Sequence, residues 1–274
     1  MYRLNHQLLP PYQYGRQPLK VCVVGCGGTG GFVAEGLCRL LEDDVVLLLV
    51  DHDHVEEHNL VRQNFYKNEL GMLKSEALAR RLCTKYYRRI AYLTSPISML
   101  ETMPEVIIGC VDNGLARRDI ADKIIAKCNP PMSLYRGWWV DAGNGRNFGQ
   151  VLIGNCPSER IKKTFETKTE VCYGLPLPTE QRPELLLELP PAPACAEAVA
   201  RDEQSPTINQ CMGALVLEVV RRILNGTCPW MQLSLDMDTG TLNPTLATPE
   251  NVAAMLRVNV RGLTYEREEE KGRR

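Results

Sequence analysis

One stretch, Leu19 to Asp51, constrains the fold of this chain more than any other. Val21-Cys22-Val23-Val24 is an apolar run that reads as a buried strand. Gly25-Cys26-Gly27-Gly28-Thr29-Gly30 follows without a spacer. From Phe32 to Leu41 the apolar residues Phe32, Val33, Leu37, Leu40 and Leu41 recur at helical spacing. A second apolar run, Val45 to Val50, then ends on Asp51. Strand, glycine turn, helix, strand and acid, in that order, is the pattern of the nucleotide-binding half of a doubly wound fold. Gly25, Gly27 and Gly28 let the backbone turn sharply and come close to a phosphate, while Gly30 lets the helix pack against the strand. The helix start offers free N–H groups and a positive dipole end to the anion. Asp51 stands at the distance where a carboxylate accepts hydrogen bonds from ribose hydroxyls. A tight strand-to-helix turn with no ligand is the alternative.

At 274 residues, 44% of them apolar, the chain has room for one large α/β domain or one domain with an insertion. A net charge of −1 gives no bulk electrostatic reason to bind nucleic acid or a membrane. No apolar run approaches the roughly 18 residues needed to span a bilayer. The first residues, with Arg3, Asn5, His6 and Gln7, lack the apolar core of a signal peptide. Eleven cysteines are scattered along the chain, and Cys22, Cys38 and Cys110 fall in apolar strands or helices. They are expected to be small core residues in a reducing cytosol, which makes the expected location cytoplasmic. No CxxC pair occurs, which argues against an ordinary structural zinc site.

Residues 1–18, marked by Pro10, Pro11 and Pro18, read as an extended, solvated arm that carries Arg16. Residues 19–155 form the nucleotide-binding half. Within it, His52 to Phe65 is densely polar and follows a strand's carboxyl end, where ligands bind in open parallel sheets. The spacing of His52, His54 and His58 fits no standard zinc signature. Arg62 suits a phosphate and Asn59 suits ribose or phosphate oxygens, with Asp53 and Gln63 beside them in the candidate set. A helix is expected over Glu69 to Arg89. Lys74 near its start opposes the dipole unless an anion offsets it, so it is a candidate phosphate contact; the alternative is one more exposed cation on a basic helix. Val106 to Val111 reads as a third buried strand, ending on Asp112-Asn113 before a helix over Leu115 to Cys128. A carboxylate at that strand end faces the same crevice as Asp51 and can hold Mg²⁺ on nucleotide phosphates; an Asp or Asn before a helix can also cap it, and the two roles can coexist on Asp112 and Asn113, both of which join the candidate nucleotide contacts.

Trp138 to Asp141 and Phe148 to Ile153 read as a hairpin about Gly143-Asn144-Gly145. Residues 156–206, rich in proline and poor in periodicity, read as a long loop. Residues 207–262 complete the same domain. There Thr207 to Leu224 is apolar nearly all round and reads as a buried helix ended by Asn225-Gly226. Trp230 to Asp236 and Thr241 to Leu246 form a hairpin that turns at Thr239-Gly240. Residues 263–274 read as a charged, frayed tail. The expected fold is α/β: a Rossmann-like, doubly wound sheet, largely parallel with antiparallel later strands.

Four segments in order, VVGCGGTGG (Val23–Gly31), VDHDHVEEHNLVRQNF (Val50–Phe65), LGMLKSEAL (Leu70–Leu78) and CVDNGLARR (Cys110–Arg118), resemble the E1-like adenylating family of ThiF, MoeB and the ubiquitin-activating enzymes. They cover about the first half of the chain. The later CYGLPLP, CAEAVARDEQSPTINQ and terminal hairpin look most like the ThiF-related protein of the bacterial ParB-related, ThiF-related (PRTRC) plasmid cassette. The resemblance implies ATP with Mg²⁺ and activation of the C-terminal carboxylate of a ubiquitin-like or sulfur-carrier protein that ends in glycine. The carboxylate would attack the α-phosphate and expel pyrophosphate, with no general base required, so catalysis is alignment and charge stabilisation. It implies Asp51 on the ribose, Asn59, Arg62 and Lys74 around ribose and phosphates, Asp112 on Mg²⁺, and Arg117 near the nucleotide.

Members of that family are usually homodimers in which an arginine of one subunit's arm enters the other's site. Arg16 is the candidate for that role, with Arg3 behind it. Many relatives hold zinc on two CxxC pairs. Here Cys172-Tyr173-Gly174-Leu175 looks like the first pair with its second cysteine lost, so no zinc is expected. Some relatives form a thioester on a cysteine of the loop that crosses the active site, before transfer to a further acceptor protein. Cys195 is the candidate, Cys172 the runner-up, and Cys211 is expected in the core; an incidental cysteine is the alternative for Cys195. An NAD(P)-dependent oxidoreductase also fits the glycine loop and Asp51 but leaves Arg62, Lys74 and Asp112 without a role. A non-catalytic scaffold has no need to place costly polar groups in a crevice.

Overall fold

A computed structural model describes residues 1–8, 18–128, 135–187 and 207–266. The apolar runs pair with one another. Strand β2 (Lys20–Val24) lies between β3 (Val46–Val50) and β5 (Val106–Gly109), parallel to both, with Val23 opposite Leu49 on one side and Ile108 on the other. β4 (Ile90–Leu93) extends the sheet beyond β3, and β6 (Trp138–Asn144) extends it beyond β5, still parallel. From β6 the direction alternates through β7 (Phe148–Gly154), β10 (Trp230–Asp236) and β11 (Thr241–Leu246). The eight strands run in the order β11-β10-β7-β6-β5-β2-β3-β4. Strand order reverses at β2, and the carboxyl ends of β3, β2 and β5 stand side by side at that switch point, where open α/β sheets bind ligands.

Alternation along β2 fills both faces. Val21 and Val23 join the larger core with α1 (Gly28–Leu40), α2 (Lys74–Tyr86) and α5 (Ile208–Leu224), while Cys22 and Val24 join the smaller core under α3 (Gly114–Lys127). Burial on both faces explains why these strands read as continuous apolar runs. The helix over 207–224 packs on α1 closely enough that a Cβ on Gly36 would lie 2.1 Å from a Leu217 methyl.

Several elements depart from expectation. α2 starts at Lys74, not Glu69, because Gly71 takes a left-handed φ of +81° and interrupts the helical path. It ends where Tyr87 turns left-handed, and β4 follows. Residues 1–8 are not a solvated arm. β1 (Arg3–Leu4) pairs in parallel with β9 (Val171–Cys172), Leu4 is 1% exposed, and the indole N–H of Trp138 donates to the Asn5 carbonyl at 2.8 Å. β8 (Phe165–Glu166), β9 and β12 (Thr264–Tyr265) complete a small second sheet in the order β1-β9-β8-β12. The expected loop is therefore built up between 156 and 187, also with the short helix α4 (Pro178–Gln181), and the expected tail contributes a strand. Helix α6 (Pro249–Leu256) was not anticipated, although Thr248 caps it and Pro249 opens it in the usual way. Two-residue strands carry no periodic signal and form only when their partners are in place.

No helix among the described residues is long and apolar enough to cross a membrane.

Candidate functional site

The glycine loop is shaped by contact. Gly25 has φ +88° and donates its N–H to the Val50 carbonyl at 2.9 Å; a Cβ there would lie 2.5 Å from the Cys110 carbonyl oxygen. A Cβ on Gly30 would lie 1.8 Å from the Gly25 carbonyl oxygen, so no side chain fits where α1 leaves the loop. Gly27 is the N-cap of α1 and brings no side-chain cap, and the first turn contains no acid. The helix start therefore presents its N–H groups to the crevice, the arrangement that binds phosphates.

Asp51 closes β3 onto this loop. Its Oδ2 accepts the Cys26 N–H at 2.6 Å and its Oδ1 accepts the Asp53 N–H at 2.8 Å. It is 9% exposed, and burial pushes its carboxyl up against the pull of those two bonds and of Lys74. Each oxygen keeps a lone pair for a further donor. α2 is tied to the same place. The Ser75 hydroxyl donates to the Asp51 carbonyl at 2.7 Å, the Lys74 N–H donates to the Asp53 carbonyl at 2.8 Å, and Lys74 Nζ pairs with Asp53 Oδ2 at 3.0 Å. Lys74 is buried, so it is not an ordinary surface lysine.

The polar segment after Asp51 is a short 3-10 turn, Glu57–Val61, capped by Asn59, whose buried Oδ1 accepts the Glu56 N–H at 2.9 Å. Asn59 thus holds the turn that delivers Arg62 and Gln63. Asn64 Nδ2 donates to Glu35 on α1 at 2.9 Å, and Arg81 on α2 bridges Glu69 and the Asn64 carbonyl. These contacts press the segment against the helices. The Gln63 amide faces the glycine loop, its Oε1 3.5 Å from where a Cβ on Gly27 would stand, and that oxygen is buried with no hydrogen-bond partner among the described residues. His52 lies 3.9 Å from Asp53 and His58 3.2 Å from Glu56, and no group of histidines, cysteines and acids among the described residues is arranged to hold a metal.

At the end of β5 the two readings of Asp112-Asn113 separate. Asn113 caps α3, its Oδ1 accepting the Ala116 N–H at 2.8 Å. Asp112 is exposed, and among the described residues its carboxylate meets Asn113 Nδ2 at 3.4 Å. Arg117, expected near the nucleotide, lies beneath the strand ends beside Asp112. It is buried, with Nε 3.1 Å from Asp141 Oδ2 and Nη2 donating to the Val111 carbonyl at 2.6 Å. Burial pushes the Asp141 carboxyl up and the Arg117 charge opposes this. Arg117 points inward because Asp141 on β6 attracts it beneath the strand ends.

Sequence reasoning missed a polar cluster beside the loop. The Thr29 hydroxyl lies 3.2 Å from Asn144 Oδ1 and 3.3 Å from Asn209 Oδ1, and Asn209 Nδ2 donates to the Arg62 carbonyl at 3.3 Å. Asn209 is 3% exposed at the start of α5. Its signal was visible as an amide on a helix apolar nearly all round. Arg3 lies in β1, in the small sheet. Arg16 and Cys195 lie outside the described residues. Cys172 is fully buried and its thiol is pushed up by burial, which is not the accessible thiolate a thioester step needs; Cys211 is half-buried on α5.

The profile described as ThiF family matches residues 13–249. Among solved structures, E. coli MccB with ATP is similar at a TM-score of 0.57 and 14% identity, over 84% of this chain and 64% of MccB. PaaA is similar at 0.57 and 18%, over 84% and 73%. E. coli MccB with AMPCPP and MccA is similar at 0.55 and 15%, over 83% and 63%. The chain thus spans less than two thirds of MccB's length, and at these identities the likeness is one of fold. No protein of curated function matches by sequence.

Proposed function

The chain belongs to the ThiF family, and from that premise we propose that it is an ATP-dependent, E1-like adenylating enzyme acting on the carboxylate of a small peptide or protein. One observation carries the reading. The ends of the three neighbouring parallel strands β3, β2 and β5 hold, in order, a buried acid, an uncapped helix start behind a glycine loop, and an exposed acid. In this reading Asp51 accepts the ribose hydroxyls. The α1 start, Gln63, Arg62 and Lys74 surround the phosphates. Asp112 holds the Mg²⁺ that accompanies ATP and neutralises phosphate charge.

The substrate carboxylate attacks the α-phosphorus, the bond to the bridging oxygen breaks, and pyrophosphate leaves with the electron pair, giving an acyl-adenylate. No proton needs to move, so the protein's contribution is alignment and charge stabilisation. E. coli MccB has been solved with ATP and with MccA, which supports a nucleotide and a small partner for the shared fold. The preferred partner is a ubiquitin-like or sulfur-carrier protein ending in glycine, with Arg16 entering the site from a second subunit; the Cys195 thiolate, its proton having gone to solvent, attacks the acyl carbon of the adenylate, the acyl–phosphate C–O bond breaks, and AMP leaves as the thioester forms.

Two measurements test this. Equilibrium titration compares ATP with Mg²⁺ against NADH, and ATP–pyrophosphate exchange is assayed with candidate small proteins. ATP binding and partner-dependent exchange are expected, with exchange lost in Asp112→Ala while its melting temperature is kept. Tight NADH binding without ATP binding overturns the reading, and exchange that persists in Asp112→Ala removes Asp112 from it.

A further inference from the structure

We propose that the buried Arg117–Asp141 pair is a positioning device for Asp112: it clamps the backbone just before that residue so that the carboxylate stands at a fixed place at the end of β5. The inference rests on the adenylation reading for the purpose of Asp112, but the clamp itself is a property of the described residues.

β5 ends at Gly109, and Cys110 donates its N–H to the Val24 carbonyl at 2.7 Å. Beyond it the chain leaves the sheet over Val111 and Asp112 before Asn113 caps α3. A carboxylate that holds a cation must be kept within about half an ångström of its working position. Among the described residues the exposed Asp112 carboxylate has one weak contact, from Asn113 Nδ2. Its place is set by the backbone, and the backbone is bracketed. On the far side is the Asn113 cap. On the near side Arg117 Nη2 donates to the Val111 carbonyl at 2.6 Å.

Arg117 is aimed by Asp141. Its Nε lies 3.1 and 3.3 Å from the two carboxylate oxygens, and the two residues are 5% and 0% exposed. Asp141 sits opposite Gly109 in the β5–β6 register, and a Cβ on Gly109 would stand 2.7 Å from Asp141 Oδ1. β5 thus ends on the one residue that leaves room for the carboxylate. A buried ion pair is weak evidence of stabilisation, because apolar residues of similar volume often serve the fold as well or better. A pair that reaches from β6 through α3 to the carbonyl next to Asp112 has a positional use that an apolar pair could not supply. Partners behind a cation ligand commonly matter in this way.

The test uses the full chain as wild type, Asp141→Asn and Arg117→Lys. The asparagine keeps the shape of Asp141, and the lysine keeps a cation but loses the planar fork that spans Asp141 and Val111. Without nucleotide, hydrogen–deuterium exchange is expected to rise in residues 110–116 of both variants and to stay unchanged in β2 and β3. With ATP, the Mg²⁺ concentration for half-maximal binding is expected to rise by about tenfold, while binding of Mg²⁺-free AMP stays within about twofold. Unchanged exchange at 110–116 in a folded variant overturns the clamp. Faster exchange with an unmoved Mg²⁺ dependence overturns its purpose. Loss of fold in both variants also overturns the proposal, since the pair would then serve the fold and not Asp112. Failure of the wild type to bind ATP sinks the adenylation reading and the stated purpose together, and the exchange result then still reports on the clamp.

Discussion

Replacing Asp51 by asparagine separates the two jobs the site gives it. The carboxylate accepts two backbone N–H bonds, from Cys26 at 2.6 Å and from Asp53 at 2.8 Å, in a place that is 9% exposed. Asparagine has one oxygen, so one of the two N–H groups would face an NH₂ group. Losing a charge-assisted bond costs about 1.5–3 kcal/mol, and a buried N–H left unmade costs about 1–3 kcal/mol. These overlap, and the neutral amide escapes the burial cost that raises the carboxyl, so Asp51→Asn is expected to lower stability by about 1–3 kcal/mol, against the roughly 5–15 kcal/mol of a typical domain. Thermal unfolding of the full chain measures it.

The second job shows in ribose selectivity. Wild type is expected to bind ATP about tenfold or more tighter than 2′,3′-dideoxy-ATP, because the analogue has no hydroxyl to donate to the remaining lone pairs of a charged acceptor, a bond worth about 1.5–3 kcal/mol. In Asp51→Asn that preference should shrink to within about threefold, since the acceptor that remains is neutral and bonds to charged groups are worth about twice neutral ones. A variant that is destabilised yet keeps the wild-type preference would refute the ribose role and leave Asp51 as a loop anchor.

Gly30→Ala is expected to destabilise by about 3 kcal/mol or more, because its Cβ would meet the Gly25 carbonyl oxygen at 1.8 Å. Gly31→Ala, where the nearest atom is Asn64 Cβ at 3.5 Å, should be neutral or stabilising by up to about 1 kcal/mol; chemical denaturation of the pair checks both. For Glu35, burial opposes ionisation, but hydrogen bonds from Lys85, Asn64 and Tyr86 outweigh it and pull the carboxyl from 4.5 to about 2. Its stabilisation is therefore present above pH 4.5 and is lost as pH falls toward 2. Allowing for solvent screening this is about 1 kcal/mol, and Glu35→Gln should flatten that limb of the stability-against-pH curve. Asn113→Ala should cost about 1 kcal/mol through loss of the α3 cap, measured by thermal unfolding.

Where a residue's role follows from its immediate neighbours, the chain could be read directly. Gly25 is glycine because the turn needs a left-handed φ of +88°, Gly30 because the Gly25 carbonyl of the same strand-turn-helix unit leaves no room for a Cβ, and Val21 to Val24 is apolar because a central parallel strand is covered on both faces. Asp51 follows from the same local unit. Asp112-Asn113 announced a strand end before a helix, but not which of the two would serve as cap; backbone geometry gave that to Asn113. The beginning of the chain and its small sheet were illegible for a different reason. β1, β8, β9 and β12 are each two residues long, and while β8 and β9 meet across a short turn, β1 and β12 join them from distant segments, so no stretch of sequence contains the signal of the whole sheet.

Arg117 marks the boundary between the two kinds of knowledge. Sequence alone established a nucleotide-type strand-loop-helix, the acid after the second strand and the helix that carries this arginine, since all of these depend on spacing and residue type within a few tens of residues. Only the assembled sheet decided that the guanidinium turns inward, because the β5–β6 register is what sets the Asp141 carboxylate beneath it, opposite a glycine that leaves it room. Tertiary register likewise brought Asn209 against Thr29 and the Arg62 carbonyl, across 180 and 147 residues. Charge and shape act through space, and which groups meet is set by how strands align, not by how far apart they stand along the chain.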